Sequence, residues 1–170
     1  MIKKNIALLS TMLILLIGTS YAGQKKDQKY ESPDGKFVAN VVALPKVPYG
    51  SGESKIIIKT KKGKLLCSKN YGSETGEHGF GAEHAAWTPD SRFFVYSMSS
   101  SGGHQAWHFP TDFISTHDFK VRRLDDYLGP ITDPDFELSS PDVIKTAGRN
   151  KDTIDEAAFE ISLSKLIKKK

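Results

Sequence analysis

The chain has 170 residues, 38% of them hydrophobic, with 24 basic and 20 acidic side chains. That length supports one domain with a core of its own, and a net charge of +4, falling to about +2 without the two lysines of the leader, is no nucleic-acid footprint. A single cysteine, Cys67, excludes an intramolecular disulfide framework, so the fold must rest on packing.

The first residues have the grammar of a secretory leader. Lys3 and Lys4 precede an apolar run over 6–18, and "TSYAG" then supplies small residues for cleavage, expected after Ala22. The 13-residue run is short of the roughly 20 needed to span a bilayer. No cysteine follows it to carry a lipoprotein anchor. The expectation is a signal peptide over 1–22 and a single β domain over 23–170, periplasmic or secreted, with no stable membrane anchor after cleavage; an uncleaved anchor is the competing reading. Losing two lysines leaves 22 basic against 20 acidic side chains. The terminal lysines 168–170 read as a solvated tail.

"SPDGKFVANVVAL" (32–44) and "TPDSRFFVYSMS" (88–99) are alike at a fixed offset of 56. It carries Pro33 to Pro89, Asp34 to Asp90, Lys36 to Arg92 and Phe37 to Phe93, and later Ile57 to Phe113, Ile58 to Ile114 and Thr60 to Thr116. The spacing predicts a duplicated supersecondary unit. Pro sets φ at the first central turn position, Asp accepts backbone N–H groups ahead of it, and Gly or Ser closes the turn. Alternating aromatic and β-branched residues follow, as in a strand. Each unit reads as four strands, near 28–32, 36–44, 55–60 and 64–69 in the first and 84–88, 92–98, 108–116 and 119–124 in the second. Cys67 falls in an apolar strand of the first unit and is expected to be a buried, inert thiol, with an intermolecular disulfide or a nucleophile as the alternatives.

The motifs "SPDGKFVA" and "TPDSRFFVYS" resemble the WD-like β-propeller repeats of periplasmic proteins of the Tol type. The resemblance covers residues 30–124 and implies four-stranded antiparallel blades. The chain departs from that family in two ways: a spacing of 56 exceeds the usual 40 to 45, and two copies do not close a ring.

The stretch 124–142, rich in Pro, Asp and Ser, reads as a long connection holding one helical turn. Two further strands are expected at 142–148 and 157–166, where Phe159, Ile161 and Leu163 alternate with Glu160, Ser162 and Ser164. A helix through Ile154, Ala158, Ile161 and Leu166 is the competitor. This C-terminal strand pair (extension 125–170) either begins a third blade or covers the edge of the second unit. The fold class is therefore all-β: antiparallel four-stranded blade-like units (28–69 and 84–124), partly propeller-like or sandwich-like.

In an up-and-down meander successive loops fall at alternating ends of the sheet. Both Pro-Asp turns and His117 share one end. The loop over 70–84 and the loop over 99–108 share the other, which gathers Glu77, His78, Glu83, His84, His104 and His108 along one edge, with Asp125, Asp126, Asp133 and Asp135 nearby. Trp107, in "GGHQAWHF", is an amphipathic ring at that edge. His78, His84, His104 and His108 are the weak metal candidates. Imidazoles with a carboxylate suit zinc, but the spacings match no metal signature, and no cofactor is expected. Ser99, Ser100 and Ser101 carry no nucleophile motif, and no catalytic residue is assigned. The expected role is an exported, non-catalytic binding module that recognises a protein or small-molecule ligand of the cell envelope through Glu77, His78, His84, His104, Trp107 and His108, with no nucleic-acid partner and oligomerisation possible. The alternative is a metal-binding protein or metal-dependent hydrolase using the same histidines.

Overall fold

The computed structural model describes residues 26–45, 52–102 and 107–168. The leader, His104 and the last two lysines lie outside them. Among the described residues no helix is long and apolar enough to cross a membrane.

The protein is built from antiparallel sheets. The first unit forms a four-stranded meander, β1 (Gln28–Glu31), β2 (Phe37–Ala43), β3 (Ser54–Thr60) and β4 (Leu65–Asn70). The second repeats it with β5 (Phe80–Trp87), β6 (Phe93–Ser100), β7 (Thr111–Ser115) and β8 (Val121–Arg123). After a short helix α1 (Asp125–Leu128) come β9 (Glu137–Ser139), β10 (Val143–Arg149) and β11 (Glu156–Ser162), then helix α2 (Leu163–Ile167). These last strands form a third sheet in the order β11-β10-β9. The expected C-terminal strand pair thus has a third, short member, β9. The strand expected over 157–166 ends at Ser162, where Leu163 and Leu166 turn inward as a helix and are buried.

The duplication is visible atom by atom. In the first unit the Ser32 hydroxyl donates to Asp34 Oδ1 at 2.8 Å and accepts the Phe37 amide, while Asp34 Oδ1 accepts the Lys36 amide. In the second the Thr88 hydroxyl donates to Asp90 Oδ1 at 2.8 Å and accepts the Phe93 amide, while Asp90 Oδ1 accepts the Arg92 amide. The next position has positive φ in both, 68° at Gly35 and 63° at Ser91. The turns also touch: the Asp34 amide donates to Ser91 Oγ at 3.0 Å, and the Asp90 amide to the Pro141 carbonyl at 3.3 Å. Pro141 and Asp142 connect β9 to β10, so a third Pro-Asp connection stands in line with the other two.

One expectation needs correction. The offset of 56 holds for the turn and the second strand, but cross-strand pairing sets the third strands 55 apart. Ala39 is opposite Ile58, whereas its counterpart Val95 is opposite Phe113, not Ile114. A one-residue slip turns every side chain to the other face. Here it puts Phe113 on the same face as Phe93 and Val95.

That face matters because the second sheet is the middle layer. Phe94, Tyr96, Met98 and Ile114 pack with Ala39, Val41, Ile56 and Ile58 of the first sheet. On the other face Phe93, Val95 and Phe113 pack with Ile144 of the third sheet, Ile131, Phe136 and Leu163. β7 is buried along its whole length, and β6 from Phe93 to Met98. Burial of each such aromatic contributes roughly 2–3 kcal/mol before entropy is counted. Cys67, expected to be buried, is half-buried against the first core, and burial raises its thiol pKa.

Candidate functional site

The meander places the loops as expected. The connection after β4 (71–79) and the described parts of the one after β6 (101–102 and 107–110) lie at one end of the stacked sheets, while the Pro-Asp turns and the exposed His117 lie at the other. The two loops also touch. A Cβ on Gly102 would lie 2.7 Å from the Glu77 carbonyl oxygen, so the chain passes there only as glycine.

The organiser of this rim is a residue that sequence reasoning passed over. Glu53, at the entrance to β3, is 4% exposed. Its Oε1 accepts the Ser73 hydroxyl and the Gly79 amide at 2.7 Å each and the Ser101 hydroxyl at 2.8 Å, and its Oε2 accepts the Ser73 amide at 2.7 Å. Burial disfavours the carboxylate, but these four donors outweigh it, and the net pKa is lowered. The Ser101 amide closes the clamp on the Gly79 carbonyl at 2.9 Å. One buried anion therefore ties β3, the 71–79 loop and the end of β6 together. Nothing in "GSGESK" marks Glu53 as different from any loop glutamate; only the convergence of distant donors reveals it.

Beneath the rim runs a second buried polar chain. Tyr96, Asp112 and Arg123 lie side by side across the second sheet. The Tyr71 hydroxyl donates to Asp112 Oδ2, which leaves the Tyr96 hydroxyl to donate to Tyr71 at 2.7 Å. Arg123 Nε donates to Asp112 Oδ1 at 3.0 Å. Burial, followed by the Asp112 charge, raises the Tyr71 pKa; Tyr96 is raised chiefly by burial. Both phenols stay protonated at neutral pH, and the chain of bonds braces β6, β7 and β8 beneath the rim. Asp112 did leave a trace in the sequence, a carboxylate inside the strand "TDFIS".

The expected site residues divide between places. Glu77 and the exposed His78 are on the 71–79 loop, and the His78 amide is held by Ser73 Oγ at 3.1 Å. Trp107 is 61% exposed, with its ring 4.2 Å from that of His108. His104 lies outside the described residues. His84 is elsewhere: β5 begins at Phe80 rather than 84, so Glu83 and His84 are strand residues. They sit in a bulge between Ala82 and Ala85, which turns the His84 ring onto Phe136 at 4.4 Å, away from the rim.

The carboxylates are also dispersed. Asp125 accepts the Thr111 and Ile131 amides, and burial raises its pKa. Asp126 is exposed on α1, and Asp133 and Asp135 border the third sheet. Ser99 donates to Glu83, and Ser101 is committed to Glu53. Among the described residues no three His, Cys, Asp or Glu side chains are grouped as metal ligands would be. Among the described residues the rim combines the Glu53 clamp with an exposed Trp107 ring beside the half-buried His108.

No family model matches the chain, and no curated protein matches it. Among solved structures it is similar to a puromycin hydrolase crystallised in complex with PGG, at 11% identity and a TM-score of 0.29, over 81% of this chain and 27% of that one. The chain thus spans about a quarter of that protein's length.

Proposed function

We propose that the protein is an exported binding module of the WD-like propeller-repeat type, which recognises a protein or small molecule of the cell envelope through the rim formed by loop 71–79 with Ser101, Gly102, Trp107 and His108. The observation that carries this reading is the contrast at the rim. Its base is clamped by the buried Glu53 carboxylate, while Trp107 stands 61% exposed beside His108. The ring stands two residues before Phe109, whose amide donates to the Ile131 carbonyl at 2.7 Å, and a large amphipathic ring beside an ordered strand entry buries much area on binding, which is the pattern of an interaction hot spot. The leader grammar of residues 1–22 and the paired Pro-Asp turns support the compartment and the repeat type.

A photo-crosslinking residue placed at 107 tests the reading in cells, with the same residue at Lys62, on the opposite end, as control. Adducts to a defined envelope component from 107 and not from 62 are expected. Equal labelling at both positions, or none at 107, overturns it. Mass measurement of the secreted form should find Gly23 as its first residue.

A further inference from the structure

The three sheets invite a comparison that the sequence did not. Each begins with a strand that turns through Pro-Asp into its antiparallel neighbour, β1 into β2, β5 into β6 and β9 into β10. In the first two sheets the third strand is then covered by a fourth: β3 by β4, and β7 by β8. In the third sheet the equivalent strand, β11, has a neighbour on one side alone among the described residues. After Ser162 the chain leaves as α2, whose Leu163 and Leu166 enter the core between the second and third sheets.

The direction of the free groups follows from two bonds. The Asn150 amide donates to the Asp155 carbonyl at one end of the β10–β11 hairpin, and the Leu163 amide to the Asp142 carbonyl at the other. Antiparallel ladders alternate bonded and non-bonded pairs. Ala157, Phe159 and Ile161 therefore bond inward to β10, and Glu156, Ala158, Glu160 and Ser162 point their N–H and C=O groups out. A row of unpaired groups on a seven-residue edge is a template for another strand.

The chemistry of that strand is set by the surface beside it. On the exposed face Glu156 and Glu160 stand opposite Arg149 and Lys145 of β10, with Lys145 and Glu160 3.4 Å apart. An open groove of about 480 Å³ beside them is bordered by Asp133, Asp135, Glu137 and Glu160, with Lys145 as its one basic side chain. Along this face and its groove five acidic side chains thus stand with two basic ones. On the other face Phe159 and Ile161 are only partly buried at the margin of the core. The fourth strands already present are basic and apolar: "KLLCSK" (64–69) and "KVRR" (120–123).

We infer that β11 is a docking edge for an extended protein segment that alternates basic and apolar residues, which adds to the third sheet as its fourth strand. Basic side chains of the guest face Glu156 and Glu160, and its apolar ones cover Phe159 and Ile161. This surface is distinct from the rim and does not depend on it.

A capped seven-residue peptide alternating lysine and valine is the probe, with the same peptide carrying glutamate for lysine as its counterpart. Binding at least tenfold tighter for the lysine peptide is expected, with the amides of Ala158 and Glu160 at least tenfold slower in hydrogen exchange and those of the rim unchanged. Ala158→Pro removes the central outward N–H while leaving the bonds to β10, and should abolish binding with the protein still folded. Should that variant misfold, methylating the peptide's own bonding amides makes the same test from the guest's side. Binding without protection at 158 and 160, or equal affinity for both peptides, overturns the inference. So does protection of those amides in the free protein: in a monomer a segment of the same chain then fills the edge, and in a dimer a second copy does.

Discussion

Glu53 Oε1 accepts the Gly79 amide at 2.7 Å, across 26 residues of chain and from one sheet to the entrance of the next. That bond explains why the glycine-rich stretch 76–81 is ordered at a histidine-bearing rim. A carboxylate with four donors is satisfied as an anion, and its donors have no other acceptor of equal strength.

Glu53→Gln keeps the shape but loses the charge and aims an NH2 group at donors. Removing a charged acceptor from buried N–H groups costs about 3 kcal/mol. Urea denaturation should show that loss, and hydrogen exchange should show loop 71–79 opening ahead of the rest. A variant as stable as the parent removes Glu53 as organiser of the rim.

Gly79→Ala tests the same joint from the other side. The new Cβ would lie 2.2 Å from the Tyr71 carbonyl oxygen and 2.4 Å from Glu53 Oε1. Backbone cannot yield there without breaking the clamp, so a loss of about 2–4 kcal/mol is expected. Thermal melts of Gly79→Ala and Glu53→Gln, alone and combined, should prove strongly non-additive.

Tyr71→Phe and Asp112→Asn probe the buried chain beneath the rim. Deleting the Tyr71 hydroxyl leaves Tyr96 without its acceptor and Asp112 with Arg123 alone, a cost of about 1–3 kcal/mol. A double-mutant cycle should return a coupling of about 1–2 kcal/mol. A coupling near zero would falsify the direct bond.

Acid stability follows from the turns. Burial opposes ionisation of Asp34, but bonds from Ser32 and Lys36 prevail and hold it at about 2. At Asp118 the Arg122 guanidinium leads, also giving about 2. A folded-state pKa below the unfolded value of about 3.9 means the unfolded chain takes up protons first. The stabilisation is complete above about pH 4 and is lost as pH falls through about 2. Asp125, raised by burial, works in the opposite sense. Urea midpoints measured from pH 5 to pH 2 should fall, and Asp34→Asn with Asp118→Asn should flatten that fall.

The two tryptophans should behave as opposites. Trp87 is 9% exposed, its Nε1 donates to the Tyr30 carbonyl at 3.0 Å, and its ring lies 5.1 Å from Phe94. Trp87→Ala should cost about 3–5 kcal/mol. Trp107→Ala should leave stability within about 0.5 kcal/mol while removing the red-shifted component of the fluorescence. A large loss of stability in the second variant returns Trp107 to the core.

The strands, their antiparallel order and the Pro-Asp turns were legible along the chain because each depends on neighbours a few residues apart. Pro and Asp shape their own turn, and side-chain alternation declares a strand. The ends to which the loops go followed from counting reversals. What the chain did not declare depends on residues brought together from far apart. The one-residue slip in β7 was decided by which core Phe113 had to enter, and the bulge that removes His84 from the rim by packing on Phe136. The roles of Glu53 and Asp112 exist only where donors from three segments converge. Local propensity acts over a few bonds and is written in order; burial and hydrogen-bond satisfaction act across space, and only the stacked sheets decide them.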